Sequence, residues 1–207
     1  MTAPGRVGQD AVSGREAVLP ALAEVFREHG YAGASLNAIT AATGLGKGSL
    51  YHAFPGGKED MAAAVLAHVD AWFESEVFAP LRGADRPAEA LQAMLAACES
   101  YFRSGRRVCL VGAFALADTR DRFAVAVRDY FARWQEAIVG ALMRAGCPQV
   151  IRDALAEDVV LSIQGAVVLA RAYDDPDVFT RATERLRRKL MDAARSLSRP
   201  GVPERGG

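Results

Sequence analysis

Residues 35–54, SLNAITAATGLGKGSLYHAF, constrain this chain more than any other stretch, because they leave room only for two short helices and one tight turn. Ser35 can cap the first helix, its hydroxyl accepting from backbone N–H groups of the next turn. Leu36, Ile39 and Ala42 recur at helical spacing and should face inward. Gly44 follows, where a residue without Cβ can take the left-handed conformation that closes a helix. Leu45 is an apolar plug for the turn. Gly46 can open a second helix whose inward side chain is Leu50. Lys47, Gly48, Ser49, Tyr51 and His52 are then left outside, and Phe54-Pro55-Gly56-Gly57 stops the helix.

A turn containing Gly, followed by a short helix that opens on small and polar residues, is helix-turn-helix grammar. On pattern alone, an ordinary αα-hairpin inside a helical bundle fits equally well. The flanking residues separate the two. Val18, Leu22, Val25, Phe26 and Gly30-Tyr31 precede the turn; Ser35, Ile39, Gly44, Leu45, Lys47-Gly48-Ser49-Leu50-Tyr51, Phe54 and Lys58-Glu59 follow in order. Across residues 18–59 the chain resembles the DNA-binding domain of the tetracycline-repressor (TetR) family of bacterial transcriptional regulators. One departure is the link Pro55-Gly56-Gly57, a residue longer than usual before Lys58 and similar to the subgroup of the LmrA and YxaF regulators.

The resemblance implies an all-α, dimeric regulator, not an enzyme. A three-helix DNA-binding domain would precede a larger helical domain for ligand binding and dimerisation. The second short helix would enter the major groove of a double-stranded operator, with the partner's helix one turn away. By match of position, Lys47 would reach base edges and Gly48 would let the backbone approach. Ser49 and His52 would touch base or phosphate, and Tyr51 and Ser35 phosphate. Lys58 is a further phosphate candidate, which the longer link displaces. The simplest regulator of this kind is a repressor released by a small effector.

Charge alone does not announce a nucleic-acid partner. The formal net charge is zero, and residues 1–60 carry five Lys+Arg against six Asp+Glu. The balance is local: Gly44 to Lys58 holds two lysines, one histidine and no acid. Modest phosphate attraction predicts a moderate salt dependence and a need for dimerisation. Nothing at Met1–Gly14 reads as a signal peptide, and the longest apolar region, Val159–Ala172, is interrupted and too short to span a bilayer, so a cytoplasmic protein without membrane contact is expected. No phosphate-binding loop, nucleophile elbow or metal-ligand spacing occurs, so no cofactor and no metal are expected. Cys98, Cys109 and Cys147 read as small buried apolar residues. A thiol switch at Cys109, which follows Arg106-Arg107, is the sharper alternative.

Along the chain, residues 1–12 read as a disordered arm, 13–57 as the DNA-binding domain, 58–198 as the ligand-binding and dimerisation domain, and 199–207 as a disordered tail. Ser13-Gly14-Arg15-Glu16 has the form of a capping box, and Pro20 should kink or delay the helix it opens. Tyr31 should pack against the two-helix unit. A long fourth helix should run from Lys58 to Phe78, ended by Pro80 and Gly83. Val108–Ala117 should be buried. Candidate walls for a mainly apolar or aromatic effector are Trp72, Phe73, Phe102, Phe114, Tyr130 and Trp134. The last two helices hold more apolar surface than one protomer needs, and Ile163, Val167, Phe179, Leu186, Leu190 and Leu197 are candidates for a four-helix dimer interface. The last helix is also basic: residues 181–199 hold seven Lys+Arg and two Asp+Glu. That charge reads as a solvated face. An anionic surface is its alternative partner, in a helical interaction protein whose helix-turn-helix is vestigial.

Overall fold

Alanine and leucine with few β-branched runs favour helix. In the computed structural model, which describes residues 6–118 and 120–195, the described residues form helices and no strand. The α-helices are α1 (Arg6–Gly33), α2 (Leu36–Thr43), α3 (Lys47–Ala53), α4 (Gly57–Phe73), α5 (Ala79–Gly83), α6 (Pro87–Tyr101), α7 (Leu110–Ala115), α8 (Ala124–Arg144), α9 (Gln149–Ala172) and α10 (Asp177–Arg195). A π-helical turn, Glu74–Phe78, joins α4 to α5, and a 3₁₀ turn, Arg120–Phe123, precedes α8. No helix among the described residues is long and apolar enough to cross a membrane.

Packing divides the chain into two units. The first takes residues up to Trp72 together with Cys109–Tyr130; the second takes Phe73–Val108 and the chain from Phe131 onward. The core of the first unit is built from Leu22, Phe26, Ile39, Leu50, Phe54, Met61 and Val65, all buried. Tyr31, expected to pack against the two-helix unit, has its ring partners on α1, α7 and the 3₁₀ turn. Its ring stacks on Phe26 at 6.2 Å and meets Phe114 and Phe123 edge-on at 6.2 and 5.8 Å. Aromatic edges and faces of opposite partial charge favour this arrangement; α7 brings Phe114 and the 3₁₀ turn brings Phe123.

The second unit is organised around Phe73. Its ring centroid lies 4.8 Å from Tyr101, 5.4 Å from Trp134, 6.0 Å from Phe78 and 6.1 Å from Phe102, and Phe102 in turn meets Phe179 at 6.1 Å. Helix α10 packs on α9 and α6.

Several local expectations are corrected. Helix α1 begins at Arg6, so residues 6–12 are helical rather than part of a disordered arm; residues 1–5 lie outside the described residues. Nothing in that stretch forbids helix once Gln9-Asp10-Ala11-Val12 can extend the next turn. The backbone of α1 stays helical through Pro20, which is exposed, and departs from it only at Gly30 (φ 65°). Pro80 does not end the fourth helix. The N–H of Ala79 bonds the Glu74 carbonyl, five residues back, and this widened turn accommodates a proline that cannot bond the Glu76 carbonyl. Ala42 and Leu116 are exposed rather than inward, Leu116 at 87%.

The seam on α10 is corrected as well. Phe179, Leu186 and Leu190, with Ile163 and Val167 on α9, are each at most 3% exposed within the single protomer. They are already covered by their own chain and have no surface left for a partner. Leu197 and the tail from Ser198 lie outside the described residues. What α9 leaves exposed is a different stripe, with Leu161 at 61% and Val168 at 59%.

Candidate nucleic-acid interface

The turn is built as its residues dictate. Ser35 is extended (φ −76°, ψ 155°), and its Oγ accepts from the Ala38 N–H at 3.2 Å, satisfying one orphan donor of α2. Gly44 is left-handed (φ 69°), and its N–H donates to the Thr40 carbonyl at 3.0 Å. Thr43 stitches the corner: its hydroxyl donates to the Ile39 carbonyl at 2.7 Å and accepts from the Leu45 N–H at 3.3 Å. The Ser35 hydroxyl is thus engaged in its own cap while the residue remains exposed.

Helix α3 is seven residues long and buries one side chain, Leu50. Lys47, Gly48, Ser49, Tyr51 and His52 are all exposed, Tyr51 at 51%. A Cβ added at Gly48 would meet nothing within 4 Å. Glycine inside a helix costs about 1 kcal/mol relative to alanine, and the protein's own packing gives no reason for it here. The five residues form one polar, acid-free outer face of the kind that reads bases and phosphates.

Lys58 stands apart from them. Its Nζ donates to the Ala32 carbonyl at 3.2 Å and lies 4.9 Å from the Tyr31 ring centroid. Behind α3, a feature absent from the sequence reading appears. Arg15 on α1 donates through Nη1 to the Ala53 carbonyl at 2.7 Å and through Nη2 to Asp60 Oδ1 at 2.7 Å. The Arg15 hydrogen bond is the main cause holding the Asp60 carboxyl below its ordinary value of 3.8, with the Gly56 N–H assisting. A carboxyl depressed in the folded state contributes stability above its unfolded pKa and loses it as pH falls through the folded value. The stability difference between wild type and Asp60→Asn in urea should therefore be full near neutral pH and close as the pH is taken below about 4. A difference constant from neutrality to pH about 3 would show that the pair contributes nothing.

The remaining candidates fall where packing puts them. Phe73, Phe102 and Trp134 are fully buried in the aromatic nest of the second unit, whereas Trp72, Phe114 and Tyr130 belong to the first. Two surface clefts of the second unit are lined by other residues. One, of about 720 Å³, lies between α8 and α9, lined by Val139, Gly140, Met143 and Ala154 together with Glu136, Asp153 and Glu157. Cys98, Cys109 and Cys147 are buried and form no disulfide. Cys109 is 5% exposed and caps α7, its Sγ accepting from the Gly112 N–H at 3.3 Å, which gives this thiol a structural use. Burial pushes the Cys147 thiol up. Among the described residues, no group of His, Cys, Asp and Glu could hold a metal ion.

An all-helical chain with a capped helix-turn-helix and an acid-free exposed second helix defines a DNA-binding regulator of the helix-turn-helix class. Residues 18–65 match the model for bacterial regulatory proteins of the tetR family, and residues 87–185 match the C-terminal domain of LmrA/YxaF-like transcriptional regulators. The chain belongs to the TetR family of transcriptional regulators, whose members are regulators rather than enzymes. It is similar to the HTH-type transcriptional regulator LmrA of Bacillus subtilis, with 27% identity over 161 residues covering 75% of this chain and 85% of LmrA. It is also similar to YxaF of the same organism, with 26% identity over 165 residues covering 78% of this chain and 86% of YxaF. Among solved structures, a TetR transcriptional regulator from Chloroflexus aurantiacus shares 27% identity at a TM-score of 0.75, covering 88% of this chain and 96% of that one.

Proposed function

We propose that this chain is a homodimeric repressor that reads a two-half-site operator through α3 and is released by a small, mainly apolar or aromatic effector. The observation that carries the DNA-reading part is the outer face of α3, five exposed residues anchored by one buried leucine. Lys47 reaches base edges, Tyr51 takes phosphate, Ser49 takes base or phosphate, and Gly48 lets the backbone close in. Ser35 and His52 add contacts at the edges of that face. The twelfth-residue boundary of the arm aside, the division of roles at residues 57 and 58 stands as part of this proposal.

Dimerisation is supported by the exposed stripe of α9, Leu161, Gly165 and Val168, at helical spacing. Acidic Asp153 and Glu157 lie on the same helix, and α10 exposes Arg185 and Arg188, so two copies offer complementary charge. We assign the effector to the aromatic nest of the second unit, Phe73, Phe102 and Trp134, whose rings are fully buried in this structure, so that binding has to open the nest. It derepresses only by binding the non-DNA conformer better; a hundredfold loss of operator affinity requires about 2.7 kcal/mol of coupling. Helix α4 is one of the covalent passages between the two units, the division falling between Trp72 and Phe73, and we assign the coupling to it.

The test is fluorescence-anisotropy titration with duplex DNA from upstream of the protein's own gene, at two salt concentrations. Lys47→Ala should cost about 1–3 kcal/mol of operator binding, the scale of one base-edge contact, and Tyr51→Phe about 1 kcal/mol. Random duplex bound as tightly as every tested upstream segment would sink the reading.

A further inference from the structure

The longer link between α3 and α4 has to be absorbed without moving α3. Two glycines and one carboxylate absorb it. Gly57 is left-handed (φ 67°), and its N–H donates to the Phe54 carbonyl at 2.9 Å. A Cβ at Gly56 would lie 2.9 Å from Asp60 Cβ, so only glycine lets the loop sit this close to α4. The Gly56 N–H points at Asp60 Oδ2, at 3.4 Å.

Asp60 is held in turn by Arg15, at 2.7 Å from Oδ1 and 3.5 Å from Oδ2. The same guanidinium lies 4.5 Å over the Phe54 ring and donates to the carbonyl of Ala53. Ala53 is the last residue of α3, so its carbonyl is one of those a helix leaves without an internal partner, and a cation there also suits the helix dipole. One side chain of α1 therefore ties the C-terminal end of α3, the ring that ends it and the first turn of α4. Lys58, meanwhile, is spent on Ala32 and Tyr31.

We propose that Arg15 and Asp60 are positioning residues for DNA reading, holding α3 at the angle its base contacts need and closing the lengthened link behind it. This rests on the assignment of α3 as the DNA-reading helix. A seven-residue helix has little stability of its own, so tertiary ties set its orientation. Leu50 and Phe54 fix its depth; the Arg15 fork, with its planar spread of donors, fixes its tilt. Base-edge hydrogen bonds fail with small misorientation, whereas attraction to phosphates does not depend on register. Loss of the clamp should therefore reduce sequence-specific binding selectively.

The experiment uses the full chain as wild type, Arg15→Gln, Asp60→Asn and the double variant. Each is titrated with a duplex from upstream of its own gene and with a scrambled duplex of equal length. Each single variant should lose about tenfold in affinity for the first duplex, the scale of one charge-assisted hydrogen bond, with the scrambled duplex unchanged. The double variant should be no worse than the singles, because both remove one linked contact. Equal losses on both duplexes, or additive losses, would overturn the proposal. Amide hydrogen exchange on the free proteins gives a readout that needs no DNA. Gly56 and Gly57 should exchange faster in Asp60→Asn while Ile39 on α2 is unchanged; unaltered exchange at both glycines overturns the clamp itself. Faster exchange in a protein whose wild type shows no sequence-specific binding would instead overturn the operator reading, and with it the positioning role.

Discussion

Gly105→Ala is expected to destabilise the protein by about 2–5 kcal/mol, with the loss visible as an earlier urea unfolding midpoint. Two independent costs meet at this residue. Its φ of 85° is left-handed, which an L-side chain pays for with about 1–2 kcal/mol. An added Cβ would also lie 2.5 Å from Ala170 Cβ and 3.1 Å from Phe179 Cβ. Neither neighbour can rotate away, since a Cβ is fixed by its backbone, and Phe179 is fully buried with its ring against Phe102. Relief would have to come from moving α9 or α10, and overpacking of that kind costs about 1–3 kcal/mol. The turn is already demanding: Arg103 and Ser104 are left-handed too, at φ 50° and 51°. Gly48→Ala is the matched comparison, because its Cβ would meet nothing and the backbone there is helical; it should hold stability or raise it by up to about 1 kcal/mol. A Gly105→Ala protein within about 0.5 kcal/mol of wild type would mean that the α6–α7 connection rearranges freely, which the close packing of interiors argues against.

The same contrast shows what kind of information the sequence carries. Local chemistry was legible. Ser35 caps α2, Gly44 closes it in the left-handed conformation, and Leu50 is the buried residue of α3, because capping and helical period act within one turn of chain. The exposed face of α3 followed from the same period. The Arg15 to Asp60 link was not legible: the partners are 45 residues apart, and no periodicity encodes which of several arginines will meet which of several acids. Tyr31 illustrates the same limit, because its partners Phe114 and Phe123 arrive on a distant segment.

Two other misreadings have physical causes of their own. Pro80 carries a genuine helix-breaking signal, but a helix can also widen by one residue, and the π turn at Glu74–Phe78 is that alternative. The seam Phe179, Leu186 and Leu190 was read correctly as a packing face and wrongly as a face between protomers. A narrow apolar seam says that a helix is covered; it does not say by which chain. Here α9 and α6 of the same protomer cover it. That correction moves the self-association question to α9, where the apolar residues outnumber the faces the protomer covers.

For the dimer proposed above, Leu161→Glu should give folded monomers at micromolar concentration and cut operator affinity by at least about a hundredfold. Leu161 is 61% exposed in the protomer, so the fold does not depend on it, and a surface substitution of this kind shifts stability by about 0.5 kcal/mol or less. In a two-fold dimer each residue is used twice, and burying two copies each of Leu161 and Val168 would contribute about 1.5–3 kcal/mol per side chain. Gly165, where a Cβ would meet nothing within 4 Å of its own chain, leaves room between them for a second backbone. A carboxylate at Leu161 would be buried near its symmetry mate, without a partner and beside Glu157 and Asp158. DNA binding follows by linkage: two weak half-site contacts become tight only when the protomers are joined, so a monomer forfeits the effective concentration of the second α3. Sedimentation gives the mass and anisotropy the affinity. A Leu161→Glu protein that remains dimeric and binds operator like wild type would remove α9 from the interface. A protein that is monomeric yet binds unchanged would break the link between dimerisation and DNA reading, a link made necessary by the near-neutral charge of residues 1–60.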